Sequence, residues 1–402
     1  MTTKVKVVIG ANYGDEGKGL GTDYFCSLNP QSTIGVLTNG SAQRAHTVDT
    51  KDGLHHVFHN FSSGTFNNVP TYICDEFLIN PMSFVEEYNE LKELGYAPKY
   101  YIHPNCRVVT SFDMIQNQID MERDNAHNSC GMGVWRTINR YNKKIFNINI
   151  HDLFDLIQNP TNAFKELYNV FLYYYKDIDT YCSGINIEGL INHFIEDVQF
   201  IANRCLLLIE DNFLRYFDTV VFENGQGLLL NHTLDYENAS NVLTSTNTGL
   251  EIPYKIIERN FSDIEVEICY ITRTYLTRHG DGVIDGDEEH ALYYEQNFFD
   301  YTNIYNKFQG KLRYADLDID TLINSILADQ RITYPSPNNG YVCSKNDYNW
   351  SLLITHWNEL QFNEQTMKLL KLYFGNNNVY ISDNKYRDSV KKYSEMEIKE
   401  NK

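Results

Sequence analysis

The chain has 402 residues and a formal net charge of −19, because 53 Asp and Glu side chains outnumber 34 Lys and Arg side chains. This balance argues against a surface that tracks nucleic-acid phosphates, so any anionic ligand must be held locally. Hydrophobic residues make up 42% of the chain, more than a disordered acidic chain would carry. The sequence contains no run of about 18 apolar residues and no Cys-x-x-Cys pair among its eight cysteines. We therefore expect a folded cytoplasmic protein with reduced thiols that binds neither membrane nor nucleic acid.

Short apolar runs alternate with amphipathic helical patterns along the chain. The runs are rich in β-branched residues and end at turns, which is typical of buried parallel strands. Strands that alternate with helices predict an α/β fold with a large, mainly parallel central sheet. We expect a single domain over residues 1–402, with a helical subregion at about 110–215. The predicted strands are 5–9, 32–38, 71–73, 100–103, 219–222, 265–271 and 378–381, and the predicted helices are 81–94, 112–123, 161–181 and 187–217.

A glycine-rich turn, Gly10-Ala-Asn-Tyr-Gly-Asp-Glu-Gly-Lys-Gly19, follows the first predicted strand. Glycines let backbone N–H groups turn inward, and a following helix N-terminus favours negative charge, so the turn predicts a phosphate cradle. It is not a Walker loop, because Asn12 and Gly19 stand where that motif needs Gly and Ser or Thr. Without that hydroxyl a Mg²⁺ ion needs another ligand, and Asp15 is the available carboxylate, while Lys18 supplies a point charge for a phosphoryl group. The predicted nucleotide-binding residues of the turn are Gly14, Glu16, Gly17 and Gly19.

Six segments, in the same order to about residue 320, are similar to segments of the adenylosuccinate synthetase family. The first, Gly14-Asp-Glu-Gly-Lys-Gly19, resembles the nucleotide-binding signature of that family. The others are Asn39-Gly-Ser-Ala-Gln-Arg-Ala-His-Thr47, Val57-Phe-His-Asn-Phe-Ser-Ser-Gly64, Phe222-Glu-Asn-Gly-Gln-Gly-Leu-Leu-Leu230, Leu243-Thr-Ser-Thr-Asn-Thr248 and Tyr275-Leu-Thr-Arg-His-Gly-Asp-Gly282.

The resemblance implies a ligase that replaces the 6-oxo group of a purine nucleotide by the amine of L-aspartate, using a nucleoside triphosphate. Because the oxygen is a poor leaving group, it is first phosphorylated and then displaced. By the same resemblance Asp15 removes the N1 proton, and His46 stabilises charge on the transferred phosphoryl group and on O6. The resemblance also implies a homodimer and a Mg²⁺ ion held by Asp15 and by the carbonyl of Ala45.

The resemblance assigns an acceptor-nucleotide site to several of these segments. Gln226 would bind the base and Thr244 the 5′-phosphate, with Gln43 where the family has Asn. Arg44 stands where the family has Ala, and it either supplies positive charge near a phosphate or points outward. The remaining predicted contacts are Ser129 on the phosphate, Arg140 as the arginine that crosses the dimer interface, and Arg278 in the positive interior of the site.

The binding segment for aspartate departs from the family pattern. Aspartate carboxylates need cations, which the family draws from a Thr-Thr-Gly-Arg-x-Arg loop. Here the sequence Gln309-Gly-Lys-Leu-Arg313 offers Lys311 and Arg313 instead. Lys cannot give the bidentate contact that Arg gives, so this contact should be weaker or suit a different ligand shape.

The donor-base segment, within a divergent part at about 320–390, also departs from the family. The family reads the guanine of GTP with Thr-Lys-Leu-Asp, and the best match here is Thr355-His-Trp-Asn-Glu359. Asn358 replaces the Asp, and an amide both donates and accepts, so it suits adenine at least as well as guanine. Trp357 is available to stack on a base. We expect Thr355 and Asn358 to contact a donor that is GTP, ATP or dATP.

The identity of the acceptor stays open between IMP and dGMP. The changes at the donor segment resemble the phage branch of the family, which joins aspartate to dGMP. Some of those enzymes replace the signature Asp by Ser, whereas this chain keeps Asp15, which favours IMP. The alternative from another class is a non-catalytic nucleotide-binding homologue, against which the retained Asp15, Lys18 and His46 argue.

Overall fold

A computed structural model describes residues 3–124, 130–182, 184–231, 244, 246–280, 282–284, 290–298, 310–334 and 344–400. The predicted contact Ser129 lies outside these residues. The strands are β1 (Lys4–Gly10), β2 (Thr33–Leu37), β3 (His46–Asp49), β4 (His55–Phe58), β5 (Thr71–Ile73), β6 (Leu78–Ile79), β7 (Tyr100–Ile102), β8 (Arg107–Val108), β9 (Leu207–Leu208), β10 (Thr219–Gly227), β11 (Glu265–Thr272), β12 (Tyr275–Arg278), β13 (Arg313–Asp316), β14 (Asp347–Ile354), β15 (Val379–Ile381) and β16 (Lys391–Lys392). The helices are α1 (Lys18–Ser27), α2 (Pro81–Glu93), α3 (Ser111–Asp124), α4 (Val134–Asn142), α5 (Ile150–Leu156), α6 (Pro160–Tyr181), α7 (Ile187–Arg204), α8 (Glu251–Asn260), α9 (Ala291–Asn297), α10 (Ile319–Gln330), α11 (Glu364–Phe374) and α12 (Tyr393–Glu400).

Ten of these strands form one sheet, in the order β16-β15-β14-β11-β1-β10-β2-β5-β7-β9. Neighbouring strands run parallel except for the antiparallel pair β15 and β16 at one edge. Parallel strands need crossover connections, and the helices between them provide these on both faces. The predicted α/β fold with a large, mainly parallel central sheet is confirmed.

The central strand β1 shows why the sheet is buried on both faces. Val7 and Ile9 pack into one apolar cluster with residues of β10 and α8, while Val8 packs into a second cluster with Leu20 and Phe25 of α1. Alternate side chains of a strand point to opposite faces, so a continuous apolar run is what a strand between two helical layers requires. The end of β1 therefore has a fixed position, and the glycine-rich turn begins there.

Five helices, α3 to α7, lie between Ser111 and Arg204, and all of them except α4 share a second apolar core with β5 and β7. In α6 the buried residues Ala163, Leu167, Val170 and Tyr174 recur at helical spacing, which places them on one face. Among the described residues, no helix has both the length and the apolar character needed to cross a membrane.

One predicted helix is too long, and one central strand was not predicted. The helix predicted at 187–217 ends at Arg204, because Cys205 has an extended backbone and a short strand and a 3-10 turn follow. Strand β14 was absent from the predicted strands. Its first four residues are exposed or half-buried, and only the last four are buried, so the apolar run is too short to stand out from the sequence.

Candidate active site

A cavity of about 330 Å³ opens where several parallel strands end at the same edge of the sheet. Ligands of open α/β sheets bind outside the carboxyl ends of the strands. Predicted site residues that line the cavity are Asp15, Gly17, Lys18, Gly19, Ala45, His46, Thr355 and Asn358. The cavity is also lined by residues that the sequence did not single out, namely Asp49, Arg273, His356, Glu359, Asn384 and Lys385.

The phosphate turn is held by the buried carboxylate of Glu16. Its Oε1 accepts the backbone N–H groups of Asn12 at 3.0 Å and Gly14 at 2.8 Å, and its Oε2 pairs with Lys18 Nζ at 2.6 Å. Gly14 and Gly17 have φ of 111° and 103°, a region that favours glycine. Glu16 is therefore the internal brace of the turn, and Lys18 is held at the N-terminus of α1.

Gly19 allows the turn to approach the loop that carries His46. A Cβ atom at Gly19 would lie 2.5 Å from the carbonyl oxygen of Thr47, so only glycine fits there. This close contact brings His46 and Lys18 to the same cavity. Two segments that are separate in sequence thereby form one wall of the site.

Asp15 lies in the turn with a φ of 60°, in the left-handed region that non-glycine residues seldom adopt. Its carbonyl accepts the Nε of Arg273 at 2.6 Å, which holds the backbone. Its carboxylate is about one-third exposed and lies 3.5 Å from Nε2 of His279. Asp15 thus presents a carboxylate to the cavity from a constrained backbone, as its predicted role requires.

His46 contacts a buried carboxylate, Glu223 in the middle of β10. Nδ1 of His46 lies 2.6 Å from Oε1 of Glu223, and the same oxygen pairs with Nη2 of Arg44 at 2.5 Å and accepts the hydroxyl of Ser63 at 2.5 Å. The backbone N–H of Ser63 donates to Oε2 at 3.0 Å. Arg44 therefore points inward, which decides between the two predicted orientations of that side chain.

The network sets the charge of both its titratable members. Burial and then the guanidinium of Arg44 lower the pKa of His46 to about 3. Burial alone would raise the pKa of Glu223, but Arg44, followed by the hydrogen bond from His46, holds it at about 2. At neutral pH the site therefore contains ionised Glu223 and neutral His46.

Several buried polar atoms near His46 lack a partner among the described residues: Nε2 of His46, Nε2 of Gln43, and Nε and Nη1 of Arg44. Buried polar groups are usually hydrogen-bonded, so these atoms are suited to a polar ligand. The amide of Asn39 joins this loop to β10, since its Oδ1 accepts the N–H of Gly225 at 2.7 Å.

Gln226 and Thr244, the predicted contacts for the base and the 5′-phosphate, are linked through Thr246. Gln226, with a φ of 62°, accepts the hydroxyl of Thr246 at 3.5 Å, and the Thr246 hydroxyl is 3.4 Å from that of Thr244. None of Gln43, Gln226 and Thr244 is among the described residues that line the 330 Å³ cavity. Gln226, Thr246 and Thr244 form a polar group of their own through these contacts.

Arg278 and Arg313 face each other across the antiparallel pair β12 and β13. Arg278 is buried with its guanidinium 4.6 Å from the ring centre of Tyr13, and each arginine donates to a carbonyl of the segment 282–283. Two like charges directly opposite one another in a sheet repel each other. A bound anion would relieve this repulsion, so the arginine pair is suited to an anion site. Lys311 is exposed and does not line the cavity.

The structure corrects the predicted role of Arg140. All five of its N–H groups are engaged inside the helical region, with Asp113 at 2.9 Å and with the carbonyls of Val108, Ile145 and Phe146. The side chain is fully buried, so no donor remains for a phosphate across an interface. Arg140 is a structural residue of the helical region.

Trp357 also differs from its predicted role. It is buried in the main core, with its ring against Phe362 and Tyr393, and does not line the cavity. Thr355 joins the donor segment to the phosphate turn, because its hydroxyl donates to the carbonyl of Glu16 at 2.6 Å. Asn358 is exposed and lines the cavity.

A model of the adenylosuccinate synthetase family matches residues 7–302, which is most of the chain. The chain belongs to the adenylosuccinate synthetase family. The adenylosuccinate synthetase of Blochmanniella pennsylvanica is 26% identical over 297 residues, covering 69% of this chain and 63% of that protein. The synthetase of Chlorobium luteolum is 27% identical over 294 residues, with the same coverage of 69% and 63%. The chain thus spans less than two thirds of the length of these curated relatives.

Solved structures share the fold over nearly the whole chain. The fully ligated adenylosuccinate synthetase of Plasmodium falciparum superposes with a TM-score of 0.72 at 15% identity, covering 96% of this chain and 99% of that one. The cyanophage S-2L succinoaminodeoxyadenylate synthetase, bound to dGMP and to dATP as an energy donor, gives a TM-score of 0.62 at 12% identity, with coverage of 98% and 96%. At these identities the likeness establishes the adenylosuccinate synthetase fold.

Sequence reasoning missed several polar residues of this family member's site. Glu223 stood inside the segment 222–230 that resembles the family and directly after the predicted strand 219–222, so an acidic residue next to an apolar strand was the available signal. Arg273 lies just before the segment 275–282 that resembles the family, and His279 lies within that segment. Glu359 directly follows Asn358 but was given no role.

Proposed function

We propose that this chain is a C–N ligase of the adenylosuccinate synthetase type, which joins L-aspartate to a 6-oxopurine nucleotide in purine biosynthesis. The observation that carries the proposal is that Asp15, Lys18 and His46 line one cavity at the N-terminus of α1. A carboxylate, an ammonium and an imidazole at a helix N-terminus provide a base, a phosphate contact and a proton donor or acceptor. IMP is the favoured acceptor, because the phosphate turn keeps Asp15.

In the proposed reaction Asp15 removes the proton from N1 of the purine, and O6 attacks the γ-phosphorus of the triphosphate, from which the nucleoside diphosphate leaves. The amine of aspartate then attacks C6, and phosphate departs with the former O6. Lys18 contributes positive charge to the phosphoryl group that is transferred. The 3.5 Å contact between His279 and Asp15 supports this geometry, because it holds the carboxylate of the base.

His46 is oriented by Glu223, which accepts a hydrogen bond from Nδ1–H, so that Nε2 of the neutral ring carries a lone pair. Bound phosphates bring negative charge, which favours a proton on Nε2. The protonated nitrogen then donates to the transferred phosphoryl group or to O6, where charge develops. The buried Nε2 has no partner among the described residues, which agrees with a place reserved for a ligand.

Arg313 is the main proposed cation for the carboxylates of aspartate, because its guanidinium can form two parallel hydrogen bonds with a carboxylate. Arg278, its partner across β12 and β13, stays a proposed nucleotide contact. Lys311 would add a weaker contact from the exposed turn before β13. Arg140 has no part in this proposal.

The residues fit a Mg²⁺ ion that is shared with the nucleotide. Asp15 and Ala45 both line the cavity, and among the described residues no group of three or more His, Cys, Asp or Glu side chains could hold a metal alone. Mg²⁺ commonly uses one or two carboxylates plus substrate phosphates. When bound, the ion neutralises charge on the phosphate oxygens.

The second candidate is ligation of aspartate to dGMP with ATP or dATP as donor, and Asn358 in place of the family's Asp favours it. The structural neighbour from cyanophage S-2L binds dGMP and dATP, which makes these the ligands to compare. A homodimer in the cytoplasm is part of either proposal.

The test is to incubate the protein with Mg²⁺, L-aspartate, either IMP or dGMP, and each of GTP, ATP and dATP, and to identify products by mass. Succinylated product from IMP supports the main proposal, and product from dGMP alone supports the second candidate. The absence of succinylated product with every combination would refute both and leave a non-catalytic nucleotide-binding homologue.

A further inference from the structure

Glu359 forms a small cluster with the buried Tyr275 and with His356, which like Glu359 is partly buried. The hydroxyl of Tyr275 donates to Oε2 of Glu359 at 2.5 Å, and Nδ1 of His356 lies 3.0 Å from the same oxygen. His356 has a φ of 56°, in the left-handed region, and such strain tends to occur at functional sites. Both His356 and Glu359 line the cavity.

The position of the Glu359 carboxylate is fixed from behind. Tyr275 is buried on β12, with its ring 5.4 Å from that of Tyr294 and 4.9 Å from that of Phe298. Burial, and to a smaller extent the neighbouring carboxylate, raises the pKa of Tyr275, so its hydroxyl keeps its proton. A rigid aromatic donor thus holds one oxygen of Glu359 in one orientation.

The two oxygens of Glu359 are not equivalent. Oε2 already takes two donors, and a carboxylate oxygen has two lone-pair sites. No described residue donates to Oε1. Burial alone would raise the pKa of Glu359, but hydrogen bonds from His356 and Tyr275 lower it below its usual value. The cavity therefore contains an ionised carboxylate with one oxygen available to a ligand.

One available oxygen distinguishes between purine bases. Guanine offers N1–H and the 2-amino group side by side, a pair of donors that a carboxylate matches only with both oxygens. Adenine offers one amino group, at position 6, beside the acceptor N1. Asn358, the neighbouring residue, can donate its amide N–H to an acceptor such as N1.

We infer that Glu359 is a specificity-determining residue that accepts a hydrogen bond from the 6-amino group of an adenine base on the donor triphosphate. The inference rests on the proposed function, in that this cavity holds the donor nucleotide. A 6-oxo base in the same position brings a carbonyl oxygen against the carboxylate, and the two repel. The geometry thereby narrows the donor from three candidates to an adenine nucleotide.

The test measures binding by calorimetry with no acceptor or aspartate present, so that it does not depend on ligase activity. The probes are the Mg²⁺ complexes of ATP, of ITP, which has a 6-oxo group, of purine riboside triphosphate, which has hydrogen at position 6, and of GTP. A hydrogen bond to a charged group predicts that wild type binds ATP about tenfold to a hundredfold more tightly than each of the others.

The matched variants are Glu359→Gln and, as control, Glu364→Gln on the exposed start of α11. In E359Q the amide can donate or accept, so the ratio of ATP to ITP affinity should fall to within about threefold. E364Q should keep the wild-type ratio. A purely structural role for Glu359 would weaken all four probes equally and leave the ratio unchanged.

Equal binding of ATP and purine riboside triphosphate by wild type would overturn the inference without any variant. Tighter binding of GTP than of ATP, or an unchanged ratio in E359Q, would also overturn it. The proposed function fails separately, through the absence of succinylated product with every donor, and that result does not alter the binding ratios. A thermal melt of each variant identifies any loss of fold.

Discussion

Replacing Glu223 by Gln tests the charge network behind His46. Glu223 is fully buried and accepts hydrogen bonds from Arg44, His46 and Ser63. The amide keeps the shape of the side chain but leaves the guanidinium of Arg44 buried without a counter-charge. Removing one partner of a buried ion pair costs about 3–5 kcal/mol, while native proteins have a total stability on the order of 5–15 kcal/mol. We therefore expect E223Q to lose about 3 kcal/mol or more of its free energy of unfolding.

The assay is urea unfolding at pH 7 followed by circular dichroism. The control is Glu87→Gln, because Glu87 is also buried but contacts no Arg or Lys among the described residues. It accepts the backbone N–H groups of His59 at 3.0 Å and Asn60 at 2.6 Å and the side-chain amide of Asn60 at 2.9 Å, and it lies 3.6 Å from Nε2 of His56. Loss of such a hydrogen bond costs about 1–2 kcal/mol. If E223Q loses no more stability than E87Q, the network does not act as a buried ion pair and the reasoning is refuted.

A double variant isolates the coupling between the two charges. Adding Arg44→Met to E223Q removes the uncompensated cation, so the double variant should be more stable than E223Q alone. Additivity of the single effects within about 0.5 kcal/mol would contradict the pairing. The pH dependence has a defined sign, because Arg44 holds the pKa of Glu223 at about 2 against the effect of burial. The stability from Glu223 is present above its ordinary pKa and is lost as the pH falls towards 2, and E223Q should lack that acid-dependent part.

Three further changes have defined outcomes. Asp15→Ala should abolish succinylated product on IMP by mass analysis while circular dichroism stays unchanged, whereas exposed Asp52→Ala should keep activity. Arg140→Met should lower the free energy of unfolding by about 3–5 kcal/mol, because it leaves Asp113 buried and unpaired. Burial raises the pKa of Asp329 to about 7 in the folded protein. Between about pH 4 and pH 7 the unfolded chain releases this proton while the folded protein keeps it, so wild type loses stability as the pH rises over that range. Asp329→Asn should therefore stabilise the protein, by an amount that grows over that range and then stays constant.

Each of these outcomes has a result that contradicts it. Turnover of Asp15→Ala at the wild-type rate would remove the base from the proposed reaction. Urea unfolding of Arg140→Met with wild-type stability would restore Arg140 as a candidate for a role at an interface. A stability difference between Asp329→Asn and wild type that is the same at pH 4 and pH 8 would show that Asp329 keeps an ordinary pKa.

The phosphate turn was predictable because its determinants are local. Gly14 and Gly17 have positive φ, and Gly19 admits a backbone contact, so the glycine spacing itself encodes the shape of the turn. The alternation of strands and helices likewise encodes a parallel sheet, and that prediction was confirmed. Strand β14 was missed because its first half is exposed or half-buried, although the strand lies next to the central strands.

The environment of a charged side chain was not predictable in the same way. Arg44 and Arg140 are both buried arginines, and the sequence gives each of them the same charge. Arg44 lies in the loop after β2 and is far from Glu223 in sequence. The two side chains meet because β2 and β10 are neighbouring parallel strands. Arg140 meets Asp113 within the helical region. The pairing of each cation with its carboxylate depends on strand order and helix packing. The spacing of residues in the sequence does not encode either of these.

The donor-base segment shows how tertiary contacts change the meaning of a substitution. Read alone, Asn358 in place of an acidic residue suggests that the carboxylate has been lost from the site. The structure instead brings Glu359 to the cavity and occupies one of its oxygens with Tyr275, which is 84 residues away in sequence. A carboxylate is therefore still present, but its hydrogen-bonding capacity is halved. The preference for a base depends on that capacity, so it depends on the contact between Tyr275 on β12 and Glu359 in the segment that follows β14.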